Sequence, residues 1–174
     1  MNTQKIDLLP FIIKTSIVHT VTYFIAGVAA MTLLDYGQTM GTENSIFKPI
    51  TAPIVMAGPL FQPIRGVVFA LAFYLIRHSI FGSKLGWLKL WWLLIALGVL
   101  STFGPAPGSI EAIIYTKLEL SFSTYIEVIL QAFAFSCILY YWVNNKNLKW
   151  LNWVMGITFA VVMLLPILGL LVEQ

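Results

Sequence analysis

Arg65 is where the chemistry of this chain has to be sought first. It stands inside an apolar run from about Pro59 to Ile80, about six residues or roughly 9 Å from the outer end of that run at helical rise. A charge at mid-membrane costs about 2.5–3.5 kcal/mol on insertion scales, less where the side chain reaches the surface, so something should compensate it. Gln62 is one turn away and Phe69 continues the same face. Glu127, at a similar depth in a later apolar run, is the expected partner, with Gln131 one further turn along its face. Each residue also has a structural reading. Arg65 serves as a buttress that snorkels outward or pairs internally, and Glu127 closes a capping box on Thr124. The two kinds of reading can coexist.

The remaining polar residues extend this picture. Gly104-Pro105-Ala106-Pro107-Gly108-Ser109 is expected to be a stiff turn, because proline fixes φ and glycine admits unusual φ. Ser109 is a candidate N-cap, and Glu111 in the turn after it suits the helix dipole. Tyr115 lies one turn from Glu111 on the same face. Together they form either a capped interfacial helix or a lid over a pocket. His19 and Tyr23 share a face of the first apolar run with Thr15 and Thr22, and Ser16 and Thr20 widen it. Lipid would not tolerate that stripe, so it should face other helices. His19 reads as a neutral hydrogen-bonded histidine or as a proton relay or metal ligand. Haem ligation by His19 and His78 is disfavoured by their different depths. Lys14 is close enough to the inner edge to snorkel.

No strong catalytic motif is present. There is no phosphate-binding Gly-Lys-Ser/Thr loop, no paired-histidine zinc motif and no cysteine pair. Catalytic residues and cofactors therefore stay unassigned, and no metal set is expected. Cys137 is alone in an apolar run and reads as a buried inert thiol. Gly82 with Gly86 and Gly104 with Gly108 have small-xxx-small spacing, but both pairs fall in loops. No internal repeat is visible, which weakens the case for a transporter built from inverted halves.

These residues must be positioned by membrane-spanning helices. The chain is 59% hydrophobic and 10% charged, with a mean hydropathy of +0.88. Soluble domains carry about 25% charged residues, so this much apolar surface could not be covered in water. The net charge of +3 is small and its cations are scattered, which argues against a nucleic-acid surface.

The expected fold is all-α: a single polytopic helix bundle over residues 1–174, with spans at about 11–34, 59–80, 87–103, 124–143 and 150–172. Thr51–Gly58 and Ile110–Leu120 are too short to cross and read as interfacial or re-entrant on the outer side. A cleaved signal peptide is the rival reading of the first run, with Gly27-Val28-Ala29 as its site. His19, Thr20 and Thr22 interrupt the apolar core it would need.

Lys5, Arg77, Lys84, Lys89, Lys146 and Lys149 fall on one side, while Lys48 and Lys117 are outnumbered by acids on the other. By the positive-inside rule the N-terminus is cytoplasmic and the C-terminus extracytoplasmic, in a plasma or bacterial inner membrane. Trp87, Trp91, Trp92, Tyr140, Tyr141, Trp142, Trp150 and Trp153 should form an aromatic belt at the inner ends.

The leading functional expectation is an outward-facing pocket lined by Gln62, Arg65, Glu111, Tyr115, Glu127 and Gln131, with His19 and Tyr23 continuing the polar path inward. It would bind or transport a small anionic or amphipathic molecule. One alternative is a membrane enzyme acting on a lipid or isoprenoid head group, with Glu111 or Glu127 as acid or base. Another is a non-catalytic accessory or sensor subunit that docks a membrane protein partner.

Overall fold

The computed structural model describes residues 5–34, 48–49, 51–102, 106, 108–116, 122–145 and 147–172. Among the described residues the chain is helical without strands, and four helices are long and apolar enough to cross a membrane.

The first of these, α1 (Leu8–Leu33), sits at the centre. It packs against α3 (Gly58–Leu75), α7 (Phe122–Asn144) and α8 (Lys149–Val172). Its central place follows from its composition. Thr15, Ser16, His19, Thr20 and Thr22 are buried against neighbouring helices, while Ile13, Ile25 and Val28 point outward. Polar groups need protein partners where water is absent, and apolar side chains do not. The helix begins three residues before the expected Phe11, because Pro10 falls in its first turn, where a missing N–H costs nothing.

The second run is more broken than its hydropathy suggests. A short helix, α2 (Pro53–Met56), precedes α3, and the Met56 ε-methyl reaches Gly169 of α8. Helix α3 carries Pro59 in its first turn and Pro63 a turn later. It stops at Leu75 rather than Ile80: Ile76 leaves helical geometry at φ −110° and ψ 13°, and Arg77–Phe81 forms a separate helix, α4.

Helix α5 (Gly86–Ile95) continues as a wide π turn over Ala96–Leu100. The combined segment Gly86–Leu100 spans about 22 Å, short of the roughly 30 Å hydrocarbon core. The expected count of five therefore rests on this segment. Helix α6 is Ile110–Tyr115. Helix α7 begins at Phe122, so Thr124 lies within it; the Thr124 side chain, on which the expected capping box with Glu127 depends, lies outside the described residues. In α8, Pro166 lies within a helix that continues to Val172.

One end of the bundle is tied by polar contacts and collects the cations. The Tyr74 hydroxyl donates to Ile6 O at 3.1 Å, and Tyr140 donates to Ser83 O at 2.7 Å. Lys89 Nζ donates to Ser79 O, and Trp142 Nε1 donates to Asn152 Oδ1 at 2.6 Å. These ties bring Lys5, Lys14, Arg77, Lys84, Lys89 and Lys149 to a common end.

One expectation is sharpened here and two change. Lys14 has a specific partner: its ammonium reaches the last turn of α7, donating to Trp142 O at 2.9 Å, and lies 5.2 Å from the Trp142 ring centroid. Trp91 is not in the belt, because its indole N–H reaches Ile129 O of α7 at 3.1 Å, well away from the cationic end. Cys137 is half-buried rather than buried.

Candidate functional site

The site grows from a close approach between two helices. Gly66 of α3 packs directly on Ser16 of α1, and a Cβ at residue 66 would overlap the Ser16 Cα. The absent side chain lets the backbones meet, as small residues do in membrane helix pairs. Ser16 Oγ faces this contact, and both it and Thr20 Oγ1 are buried without a hydrogen-bond partner. One turn farther along, the same seam presents His19 and Gln62 to each other, both buried at 4% and 6% exposure.

Gln62 is the hub. Its Nε2 donates to Gly58 O at 3.3 Å. Its Oε1 meets Arg65 Nη1 at 3.4 Å and His19 Nε2 at 3.2 Å. A guanidinium has donors only, so the atom it meets must be the amide oxygen. His19 shares that oxygen and so must donate through Nε2, which fixes its tautomer. A chain of hydrogen bonds thus runs from a buried imidazole through one amide to a guanidinium.

Aromatic rings wall the chain. His19 meets Phe69 edge-on at 4.9 Å and Phe135 at 5.9 Å, and it lies 6.1 Å from Tyr23. The Arg65 guanidinium lies 5.9 Å from the ring centroids of both Tyr23 and Phe69, near the outer limit for cation–π attraction of about 6 Å. Arg65 itself is an exposed residue, so this end of the chain opens to the surroundings.

The structure therefore brings together four of the expected site residues: His19, Tyr23, Gln62 and Arg65. It treats the other four differently. Phe69 and Phe135 are in ring contact at 6.1 Å, which sets the register of α3 against α7. Gln131 then falls at the level of Arg65, and Glu127 one turn beyond it. Both are half-buried.

Among the described residues no Arg65–Glu127 ion pair is recorded. The pair recorded among the described residues is Lys5–Asp7 at 3.9 Å, and the polar partner of Arg65 is Gln62. Helix α1 lies against both α3 and α7, and Phe69 and Phe73 of α3 meet Phe135 of α7.

Glu111 and Tyr115 belong to a different place. Ser109 caps α6 as expected, accepting from Ala112 N at 3.1 Å, and Ala106 N donates to the same Oγ. Gly108 turns the chain at φ +95°, a conformation that glycine adopts without strain. A Cβ there would sit 3.2 Å from Tyr125 and Val99, so the turn lies on α7 and the π turn after α5. Glu111 borders a cavity of about 320 Å³ with Leu100, Ser101, Thr102 and Ile110. Tyr115 is 77% exposed. Residues 103–105, 107 and 117–121, which complete this region, lie outside the described residues.

Two contacts, one in the site and one at the cationic end, were not anticipated. The Ser16–Gly66 contact had a signal: Gly66 is one turn from Gln62 on the same face, where a small residue marks a close approach. The Lys14 contact had none, because its acceptor is a backbone carbonyl 128 positions away. Among the described residues no three His, Cys, Asp or Glu side chains gather to hold a metal ion. Comparison with protein-family models, with curated proteins and with solved structures gives no match, so the site has to be read from its own chemistry.

Proposed function

We propose that this is an integral membrane protein that binds or transports a small anionic or amphipathic molecule at the end of the bundle opposite the lysines. Arg65 holds the negative group. The observation that carries this reading is an exposed guanidinium whose Nη1 donates to Gln62, which is itself tied to buried His19. A cation kept among apolar helices is costly, and that cost is offset when an anion joins it. Tyr23 and Phe69 flank the guanidinium and suit the apolar part of an amphipathic ligand. Gln131, at the same level on α7, is available as a further polar contact.

In this reading the chain crosses the membrane five times. Gly86–Leu100 is the short fifth span, accommodated by local thinning of the bilayer. The cationic end and the N-terminus are cytoplasmic and the C-terminus is extracytoplasmic, with α6 lying in the outer interface. The head-group enzyme reading is less well supported, because no ion pair of Arg65 with Glu111 or Glu127 is recorded among the described residues.

Binding of a long-chain alkyl phosphate to purified protein in neutral nanodiscs tests the proposal. Arg65→Ala should weaken binding by at least about tenfold, and Arg65→Lys should restore part of it. Undiminished affinity in Arg65→Ala, with the protein folded, would remove the proposal.

A further inference from the structure

A second cavity lies at the cationic end, far from Arg65. It measures about 220 Å³ and is lined by Ile6, Asp7, Pro10, Phe11, Lys14 and Val143. It sits between the opening turns of α1 and the last turn of α7, where a bilayer-spanning bundle meets the polar head groups. Its walls are apolar: Ile6 and Phe11 are buried, with Pro10 and Val143 beside them.

Its two charged groups differ in kind and in exposure. Lys14 is half-buried, its ammonium held by Trp142 O and by the Trp142 ring. Its contribution is a fixed positive charge. Asp7 is at the mouth, just before the helix begins, and 62% of its side chain is exposed. Their backbones are about 10 Å apart along the axis, and the Lys14 side chain reaches toward the last turn of α7. The carboxylate of Asp7 meets Lys5 at 3.9 Å, but that lysine side chain is 91% exposed. Such surface pairs contribute little and yield readily to a competing cation. A third charge stands behind the wall: Arg77 lies 4.0 Å over the Tyr74 ring, and the Tyr74 hydroxyl donates to Ile6 O. The Arg77 Nε is buried without a hydrogen-bond partner.

A lysine and a carboxylate at one opening, set beside apolar walls, describe the complement of a zwitterionic lipid, the charges for its head group and the walls for its glycerol. We infer that this cavity binds a phospholipid whose phosphate is followed by a primary ammonium, that is, a phosphoethanolamine lipid. The phosphate meets Lys14, which lines the cavity. The ammonium donates to Asp7. The glycerol and first methylenes lie against Pro10, Phe11 and Val143. A phosphoglycerol lipid supplies no cation for Asp7, and a phosphocholine lipid supplies no N–H.

The experiment uses the full chain in mild detergent, with phosphoethanolamine, phosphoglycerol and phosphocholine lipids of identical acyl chains, and counts retained lipid by native mass spectrometry. The phosphoethanolamine lipid should be retained about tenfold more strongly than either other lipid. Asp7→Asn, a change at an exposed position, should abolish that preference while phosphate-bearing lipids still bind. Lys14→Met should lower retention of all three, and Lys14→Arg should recover it. Equal retention of the three lipids by the unmodified protein, or stronger retention of phosphoglycerol, would overturn the inference. So would a preference that survives Asp7→Asn. Retention unchanged in a folded Lys14→Met protein would overturn it as well.

Discussion

Arg65 and Lys14 are both cations carried within long apolar helices, yet the protein holds them in different ways. Lys14 ends on a backbone carbonyl, Trp142 O, and leans on the ring of the same residue. That acceptor belongs to the last turn of α7, the end of the helix that carries partial negative charge. The lysine thus completes a helix end. Arg65 ends on a side-chain amide, Gln62 Oε1, which also receives the His19 N–H. Its partner is neither charged nor part of the backbone. Two elements of the core therefore depend on one amide, whereas the lysine contact ties one side chain to one helix end. The same burden, a charge among apolar helices, is met by structural closure at one end and by a polar relay at the other.

The contrast is broken most completely at Gly66. Gly66→Leu would drive a side chain into the Ser16 backbone. Overpacking typically costs about 1–3 kcal/mol, and more where backbone must move. Because the seam also aligns His19 with Gln62, the variant should lose at least about 3 kcal/mol of stability by that reckoning. The measurement is the loss of helical signal during SDS titration of protein in mixed micelles. An unchanged midpoint would show that α1 and α3 are not held at this contact.

How much of this was legible follows from which interactions are local. The polar face of α1 was readable because buried hydroxyls and an imidazole recur at helical spacing among apolar residues, and Ser109 was readable because a cap acts within four residues. Gln62 beside Arg65 was also within reach, being a one-turn neighbour. The partner of Arg65 was not. Choosing Glu127 assumed that opposite charges set the order of helices, whereas that order is set by packing. Gly66 and Ala70 make α3 smooth on the face that meets α1, and Phe69, Phe73 and Phe135 fill the space where α3 meets α7. The break at Ile76 and the π turn at Ala96–Leu100 left no mark in hydropathy, because both are made of residues that a regular helix would accept.

A middle-sized effect separates the relay from its scaffold. Gln62→Leu keeps the volume roughly constant but removes the acceptor that His19 Nε2 and Arg65 share. An unsatisfied buried donor costs about 1–3 kcal/mol, so the variant should be less stable than wild type yet folded. Nitrogen-15 spectra of His19 check the relay directly. The unmodified protein should show the neutral tautomer with the proton on Nε2, and Gln62→Leu should shift or broaden that signal. Gln62→Glu, which keeps an acceptor oxygen, should retain the tautomer. A wild-type signal from the other tautomer would mean that Gln62 Oε1 is not the shared acceptor.

The smallest effect concerns α6, which the sequence left as a capped interfacial helix or a lid, and whose preceding turn at Gly108 lies by Tyr125 and Val99. Ser109→Ala removes an N-cap that accepts from both Ala106 N and Ala112 N. Loss of such a cap costs about 1 kcal/mol. Helix α6 has six residues, and four of its side chains, Ile110, Ile113, Ile114 and Tyr115, are largely exposed, so the damage should stay local. Amide exchange at Ala112 should quicken about fivefold, while the SDS midpoint stays within error. Binding at Arg65 discriminates between the two placements of this helix. If α6 stands apart from the relay, Ser109→Ala leaves alkyl phosphate affinity unchanged. If affinity falls in step with the exchange rate, α6 closes over the guanidinium, and Glu111 and Tyr115 rejoin the site.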